Sequence, residues 1–213
     1  MILRTFCNRS LEFMKFAWKT YIQPILDYAS QVWAPIEGGL LYKLESLLKS
    51  FSSKIDDIGH LHYWERLGKM RIYSINRRYE RYRIMYCHKI IQGMTPNCNL
   101  TWSNTPKYGH IFSLTEYGNY ENSNRKQSFH FMGPRLYNSI PVKLRPYLYD
   151  MNFAQWKTAL DKFLSEIPDH PITGPNETGL CEHLTSKQTN SLLYWIPFLG
   201  KSGRRGTIEV TYL

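Results

Sequence analysis

The segment IYSINRRYERYRIMYCHKIIQ (residues 72–92) has the residue pattern of one long helix. At 100° per residue its apolar side chains fall on one side of the helix, and Arg77 and Arg81 fall on the opposite side. Gly93, directly after the segment, is a typical C-terminal stop. We therefore predict a long amphipathic helix with an arginine face toward solvent. Its apolar stripe is Ile72, Ile75, Tyr79, Tyr82, Tyr86 and Ile90.

One arginine does not follow this division, because Arg83 falls inside the apolar stripe. A guanidinium group that is removed from water needs a compensating charge nearby. We therefore predict a buried Asp or Glu as the partner of Arg83. Arg71, Arg78 and Lys89 flank the stripe.

Two more helices are predicted upstream of this segment. The first has apolar residues at alternating spacings of three and four, with Ser10 as its N-cap and with Pro24 disturbing its hydrogen bonds. Its stripe is Leu11, Met14, Trp18, Tyr21, Ile25, Tyr28 and Val32. After Gly38 and Gly39 the second helix follows, so the two form an αα-hairpin. Its buried face is Leu41, Leu44, Leu48, Phe51 and Ile55.

Downstream of residue 92 the pattern is weaker. Residues 94–127 are rich in Asn, Ser, Thr, Gly and Pro, and we predict only a short hairpin that pairs Ile111–Leu114 with Ser128–Phe131. A short helix near Arg135–Ser139 is followed by one that starts at Asn152, with Gln155 at the capping-box position. The stripe of this last helix is Phe153, Trp156, Leu160, Phe163 and Ile167.

Together these elements predict a mainly α fold: a helical bundle with a small β-hairpin or loop insertion and a loosely ordered C-terminal tail. We divide the chain into a helical region (10–92), a loop-rich insertion with a short hairpin (93–131), C-terminal helices (132–167) and a Pro/Gly-rich tail (168–213).

The composition points to a polyanionic partner. The chain has 213 residues, a net charge of +10 and 15% aromatic residues, and Lys and Arg neutralise phosphates while rings stack on bases. A basic surface with no partner explains these totals equally well. The four cysteines are widely spaced, no signal peptide is visible and no apolar run approaches eighteen residues. These features predict a soluble intracellular protein, in the cytoplasm, the nucleus or both, without a membrane partner.

The stretch SKIDDIGHLHYWERL (53–67) is the strongest candidate for catalysis. It places Asp56, Asp57, His60, His62 and Glu65 close together in sequence. Adjacent Asp side chains point apart in regular structure, and histidines two apart face together only on a strand. We therefore interpret the stretch as a connection between helices. We predict no catalytic residue.

A zinc site is the second chemical alternative. Cys181 and His183 with Cys98 or His170 match no structural zinc spacing, so we predict no metal ligand. No phosphate-binding glycine loop is present either, and we predict no cofactor and no small-molecule substrate.

The remaining candidates are basic and aromatic. Arg77, Arg78 and Arg81 form the densest positive cluster, with Lys69 and Arg71 upstream. Several guanidinium groups along one side of a rigid helix suit a phosphate backbone, although such a run is more often a solvated helix face. A second basic stretch is Arg125 and Lys126, which precede Phe129 and Phe131. These seven cations are the predicted nucleic-acid contacts.

Four stretches together resemble the region that follows the polymerase palm in non-LTR retrotransposon reverse transcriptases of the LINE type, jockey-like or CR1-like. These are YIQPILDYASQVWAP (21–35), HYWERLGKMRIYSINRRYERYRIMYCHKIIQGMTP (62–96), GPRLYNSIP (133–141) and FAQWKTALDKFLSEIPDHP (153–171). The resemblance implies a thumb-like helical domain that grips a template–primer duplex through its backbone. The aromatic-x-Asp-Asp motif of that family is not in this chain, so the resemblance implies a truncated fragment without polymerase activity.

The chain also departs from the family pattern. Asp57 stands where relatives usually have Gly, Tyr108 replaces the Arg of an Arg-Gly-His segment, and Tyr137 replaces a common Trp. Residues 198–213 do not resemble the family. Two functions are therefore predicted as alternatives. One is non-specific binding of an RNA or RNA–DNA duplex. The other is a helical interaction or structural protein, or a decayed transposon product, with no nucleic-acid partner and with apolar patches that make it associate.

Overall fold

The computed structural model describes residues 7–34, 38–114, 128–145, 151–167 and 169. This part of the chain is mainly helical, as predicted, with a two-stranded hairpin. Its elements are α1 (Leu11–Ala17), a π-helical turn (Trp18–Ile22), α2 (Gln23–Asp27), α3 (Ser30–Trp33), α4 (Gly38–Ser52), α5 (Tyr63–Met70), α6 (Ile75–Ile91), β1 (Trp102–Thr105), β2 (Gly109–Phe112), α7 (Phe129–Ser139), a 3₁₀ turn (Val142–Leu144) and α8 (Phe153–Ser165).

Helix α6 is the long helix predicted over 72–92, and it joins two hydrophobic cores. Its first half packs with α1, α4 and α5 through Ile75 and Tyr79. Its second half packs with α7, α8 and the hairpin through Ile84, Cys87 and Ile90. Because α6 has neighbours along both halves, it lacks the broad solvent face that an amphipathic surface helix has.

The ends of α6 follow the predicted signals. The Ser74 hydroxyl accepts a hydrogen bond from the Arg77 backbone N–H at 3.1 Å and so caps the N-terminus. Gly93 takes the left-handed conformation (φ 69°) just after the last turn, which confirms it as the stop.

The first core confirms the face of α4 but only half of the stripe predicted before it. Leu48, Phe51 and Ile55 are buried against Met14 and Trp18. The second half of that stripe does not continue along the core as one helical stripe would: Tyr21, Ile25, Tyr28 and Val32 are 51%, 74%, 80% and 80% exposed.

The cause is a change of helical phase around Pro24. Pro24 has no N–H, and the backbone takes π-helical hydrogen bonding over Trp18–Ile22 before α2 begins. Ala29 then adopts φ 50°, which separates α2 from α3. The prediction that Pro24 disturbs this helix is confirmed, and the later part of the stripe turns away from the core.

The second core is built around Trp156 of α8. The Trp156 ring stacks on His88 with centroids 3.6 Å apart, and its Nε1–H donates to the Leu144 carbonyl at 2.8 Å. The predicted capping box is present, since Asn152 Oδ1 accepts from the Gln155 N–H and Gln155 Oε1 accepts from the Asn152 N–H. The stripe predicted for α8 is confirmed.

The predicted hairpin has the wrong partner strand. Strand β2 pairs antiparallel with β1, with Trp102 opposite Phe112 and Thr105 opposite Gly109. Ser128–Phe131 is instead the start of α7, where Ser128 is the N-cap. A Cβ atom at Gly133 would lie 3.0 Å from Cys87 Sγ, so the glycine permits close packing of α7 on α6.

Helix α7 and the 3₁₀ turn hold the hairpin through backbone contacts. The Asn138 carboxamide donates to the Phe112 carbonyl at 2.8 Å and accepts from the Phe112 N–H at 2.9 Å. The Arg145 carbonyl accepts from the His110 N–H at 3.2 Å. Gly109 (φ 63°) is required at this contact, because a Cβ there would lie 1.5 Å from the Arg145 oxygen. The Asn-Ser-Ile-Pro segment (138–141) therefore has a structural role, because its Asn138 binds the backbone of the hairpin at Phe112.

Glu45 of α4 is buried at the N-terminus of α6. Its carboxylate accepts hydrogen bonds from the Tyr63 hydroxyl and, at 2.9 Å, from the Ile75 N–H. Burial raises the pKa of Glu45 from 4.5 to about 7, and the hydrogen bonds from Tyr63 and Ile75 oppose this rise without cancelling it. Glu45 therefore binds a proton in the folded protein at pH values where the unfolded chain has released it.

This raised pKa predicts a pH-dependent stability. The contribution of Glu45 is fully present below pH 4.5 and is lost as the pH rises through 7, because the folded state then must ionise a buried carboxyl. Glu45→Gln removes this titration. We expect the difference in unfolding free energy between wild type and variant to change by up to about 3 kcal/mol between pH 4.5 and 7.5, as measured by urea unfolding.

A matched control is Glu166→Gln, which removes an exposed carboxylate on the surface. It should leave the pH profile of unfolding as it is in the wild type. Parallel pH profiles for wild type and Glu45→Gln would contradict the assignment.

Candidate nucleic-acid interface

Two of the seven predicted contacts reach solvent at the end of α5. Lys69 lies in the last turn of α5, Arg71 directly follows the helix, and both residues are exposed. The face of α5 that packs inward is formed by Tyr63, Leu67 and Met70. These two cations can therefore meet a phosphate group without any rearrangement of the core.

The three arginines of α6 are buried. Arg77, Arg78 and Arg81 are 0%, 3% and 9% exposed, so the arginine face that we expected to meet solvent does not exist in the fold. The reason is the position of α6 between two cores, which brings other segments against the side of the helix opposite its apolar stripe. Helical periodicity correctly placed Arg77 and Arg81 on the side opposite the stripe. The prediction that this side faces solvent was wrong.

These arginines pair with carboxylates on surrounding segments. Arg81 forms a bidentate pair with Asp161 of α8, with Nη2 2.8 Å from Oδ2. Arg78 Nε lies 3.5 Å from Oδ1 of Asp27, which ends α2, and Arg77 Nε lies 3.9 Å from Oδ1 of Asp169. The arginines thus connect α6 to three separate parts of the chain.

Arg83 is buried, as the stripe predicted, but its hydrogen bond goes to a backbone group. Its Nη2 donates to the Ala34 carbonyl at 2.8 Å. Burial lowers the pKa of Arg83, and the charge of the nearby Glu80 opposes this shift. A carbonyl oxygen at the end of α3 thus accepts the hydrogen bond, and the buried Glu80 is the acid whose charge favours the guanidinium group.

Arginine and lysine divide between interior and surface. Among the residues that the structure describes, every buried basic side chain that carries a permanent charge is an arginine, and no lysine is buried. A guanidinium group has five donors and loses less hydration than an ammonium group, which makes arginine the usual choice for buried ion pairs. The exposed lysines are Lys19, Lys43, Lys54, Lys69, Lys107, Lys143, Lys157 and Lys162.

The second predicted basic stretch is only partly described. Arg125 and Lys126 lie outside the described residues. Of the rings that follow them, Phe129 is buried in the second core and Phe131 packs under the guanidinium group of Arg135, with 3.5 Å from the ring centroid to Cζ. Both rings are thus engaged in contacts within the fold.

The polar stretch 53–67 has structural contacts that explain its residues. Asp57 Oδ2 accepts from the Leu11 N–H at 3.3 Å, at the start of α1. His62 is the N-cap of α5, and Glu65 accepts from its N–H at 3.1 Å. A Cβ at Gly59 would lie 2.7 Å from the Ser53 carbonyl oxygen, so this connection is tightly folded.

Neither a metal cluster nor a membrane span is found within the described ranges. No three His, Cys, Asp or Glu side chains there come together as ligands would. His170, Cys181 and His183 lie outside those ranges. None of the helices described is both long and apolar enough to cross a membrane.

Comparison of the chain with protein-family models, with curated proteins and with solved structures finds no match.

Proposed function

We propose that this chain is a non-catalytic, thumb-like fragment of a non-LTR retrotransposon reverse transcriptase that binds the backbone of an RNA or RNA–DNA duplex non-specifically. Phosphate contact is made by surface cations, with Lys69 and Arg71 at its centre. The buried arginines Arg77, Arg78 and Arg81 hold the helices together and make no contact with the duplex.

The observation that supports this proposal most is the division of the basic residues. The buried arginines have carboxylate or carbonyl partners, so much of the internal positive charge is locally compensated. Among the residues that the structure describes, the positive charge at the surface is therefore carried mainly by lysines. Mobile ammonium groups spread over a surface favour sequence-independent attraction to a polyanion over recognition of particular bases.

The proposal predicts salt-dependent binding of a labelled RNA–DNA primer–template. Each phosphate contact that releases a counterion contributes about 0.9 to the slope of log K against log salt concentration. Binding is measured by fluorescence anisotropy between 50 and 300 mM salt, a range on the order of physiological ionic strength. We expect a clear negative slope and similar affinities for primer–templates of unrelated sequence. Binding that is absent, or that does not respond to salt, would contradict the proposal.

A second function is favoured by the exposed apolar residues of α2 and α3. Ile25, Tyr28 and Val32 are largely exposed, and Tyr28 lines an open groove of about 380 Å³ together with Tyr82 and Met85 among others. Exposed apolar patches mark protein–protein contact sites. The chain would then be an interaction protein whose α2–α3 surface packs against another protein chain.

This alternative predicts concentration-dependent association in size-exclusion chromatography with light scattering. We expect the Ile25→Lys, Val32→Lys double variant to remain folded and to elute as a monomer, because two charges would have to be buried in the contact. Met94→Lys, at an exposed apolar residue outside α2 and α3, is the matched control and should associate like the wild type. A wild-type chain that is monomeric at every concentration would exclude this function for α2 and α3.

A further inference from the structure

Helix α5 carries two residues that oppose their local backbone. Gly68 lies in the last turn of the helix, at a helical position where glycine is less stable than alanine. Arg71 adopts φ 52° and ψ 53° directly after the helix, a left-handed conformation in which glycine is the usual residue. A non-glycine residue at position 68 and a glycine at position 71 would match both of these local preferences.

No contact within the described part of the chain explains Gly68. A Cβ built there meets no described atom of another segment within 4 Å, whereas Gly59, Gly109 and Gly133 each avoid a clash with a neighbouring segment. Its φ is not in the left-handed region, so the backbone does not require glycine either. The missing side chain therefore leaves open space on the outside of α5.

Gly68 and Arg71 are both exposed at the C-terminal end of α5. Trp64 and Gly68 are four residues apart and lie along the same side of the helix, and Arg71 directly follows its last residue. All three are exposed, Trp64 to 36%, and Lys69 is exposed next to Gly68. The acidic neighbour Glu65 is turned back to the start of the helix, where its carboxylate accepts from the His62 N–H.

This face has a ring at one end, two cations at the other, and bare backbone between them. The ring of Trp64 is held parallel to His62, with 6° between the planes and 6.2 Å between centroids. A residue that departs from local preference without an internal cause marks a surface selected for contact with a partner. The positive charge of Lys69 and Arg71 favours a negatively charged partner, as a phosphate backbone is.

We propose that the Trp64–Gly68–Arg71 face of α5 is where a nucleic-acid strand crosses the protein. The sugar–phosphate backbone passes directly over Gly68, with its phosphates at Lys69 and Arg71 and the ring of Trp64 against the neighbouring sugar or base. This inference rests on the proposed function, and it identifies Gly68 as the point of closest approach.

The experiment compares stability and binding in the same variants, with a labelled RNA–DNA primer–template as the probe. Gly68→Ala should raise Tm by about 2–4 °C, because the helix gains a better helix former. The same methyl group should weaken binding about tenfold, since it lies between α5 and the strand. Thr158→Ser on the exposed surface of α8 leaves the charge unchanged and is the control: Tm should stay within about 2 °C and the affinity within about twofold of wild type.

Arg71 is tested by two substitutions. Arg71→Gly should raise Tm, because it removes the strain of a non-glycine residue in the left-handed conformation. It should also reduce the magnitude of the slope of log K against log salt by about 0.9. Arg71→Lys should retain the salt slope, since the charge is kept at the same position.

The outcomes separate the two proposals. If the wild-type chain binds and both Gly68→Ala and Arg71→Gly bind as tightly as wild type, the α5 face is overturned while the proposed function stands. A fall in Tm for Gly68→Ala also overturns it, because the glycine then has an internal cause. If the wild-type chain does not bind the probe, both proposals fail together.

Discussion

We expect Trp156→Ala to lower the free energy of unfolding by about 3–5 kcal/mol, the range for removal of a buried aromatic side chain. Trp156 is 1% exposed at the centre of the second core, so its removal leaves a cavity beside His88 and Phe153. The substitution also removes the hydrogen-bond donor of the Leu144 carbonyl. The measurement is chemical denaturation followed by circular dichroism.

Two further variants define what Trp156 contributes. Trp156→Phe retains an aromatic ring on His88 and loses only the N–H donor, so its cost should be clearly smaller than that of alanine. Trp64→Ala removes the same type of side chain from a position on α5 that is 36% exposed, so it should cost clearly less than Trp156→Ala. Equal effects at Trp156 and Trp64 would contradict the assignment of Trp156 to the core.

The neighbour His88 provides an independent signal of the same packing. Burial lowers its pKa to about 3, and the nearby His110 acts in the same direction. An imidazole that is buried and neutral stabilises the fold above pH 6.5, and this contribution is lost as the pH falls toward 3. In Trp156→Ala, which admits water beside the ring, the pKa of His88 measured by NMR should move up toward 6.5.

The second large effect concerns the pair of Asp27 and Arg78. Asp27→Leu removes the carboxylate with which the buried guanidinium group of Arg78 forms its ion pair, at 3.5 Å. Removal of one partner of a buried pair costs about 3–5 kcal/mol, because a charge stays buried without compensation. The hydroxyl of Tyr82 also loses its acceptor, Asp27 Oδ2, at 2.8 Å.

A double variant separates the charge from the packing. Asp27→Leu with Arg78→Met replaces both charges with apolar side chains, and we expect it to be more stable than Asp27→Leu alone. The matched surface variant is Asp56→Leu, which removes an exposed carboxylate and should change the stability little. If the double variant is no more stable than Asp27→Leu, the guanidinium group of Arg78 is not the source of the loss.

The elements of the fold that depend on local sequence could be predicted. The length of α6, the capping box of α8 and the buried face of α4 all follow from helical periodicity and end signals, and the structure has each of them. The effect of Pro24 was also predictable, because the missing N–H is a property of the residue itself.

Other features depend on contacts between distant segments and could not be read locally. Four apolar residues at helical spacing, from Tyr21 to Val32, do not reveal that a π-helical turn rotates them away from the core. Ser128–Phe131 alternates like a strand, but Gly133 lets the segment pack as a helix on Cys87. The register of β2 is fixed by Asn138 and Arg145, which are more than twenty residues away.

The candidate site shows the same limit. A charge run on a helix predicts which side the arginines share, but its exposure depends on what packs against that side. The carboxylates that bury Arg78 and Arg81 are Asp27 and Asp161, 51 and 80 residues away in sequence. One feature of the sequence could have pointed to the proposed α5 surface. Gly68 lies within a helical pattern beside Lys69, where glycine has no local reason to occur.

The most direct test of the account compares two variants that each lose one positive charge: Lys69→Gln at the surface and Arg81→Gln in the ion pair with Asp161. Both are titrated with a labelled RNA–DNA primer–template over a range of salt concentrations, after circular dichroism has verified that each is folded. We predict that Lys69→Gln reduces the magnitude of the slope of log K against log salt by about 0.9. Arg81→Gln should keep the wild-type slope. A reduced slope for Arg81→Gln together with an unchanged slope for Lys69→Gln would contradict the account.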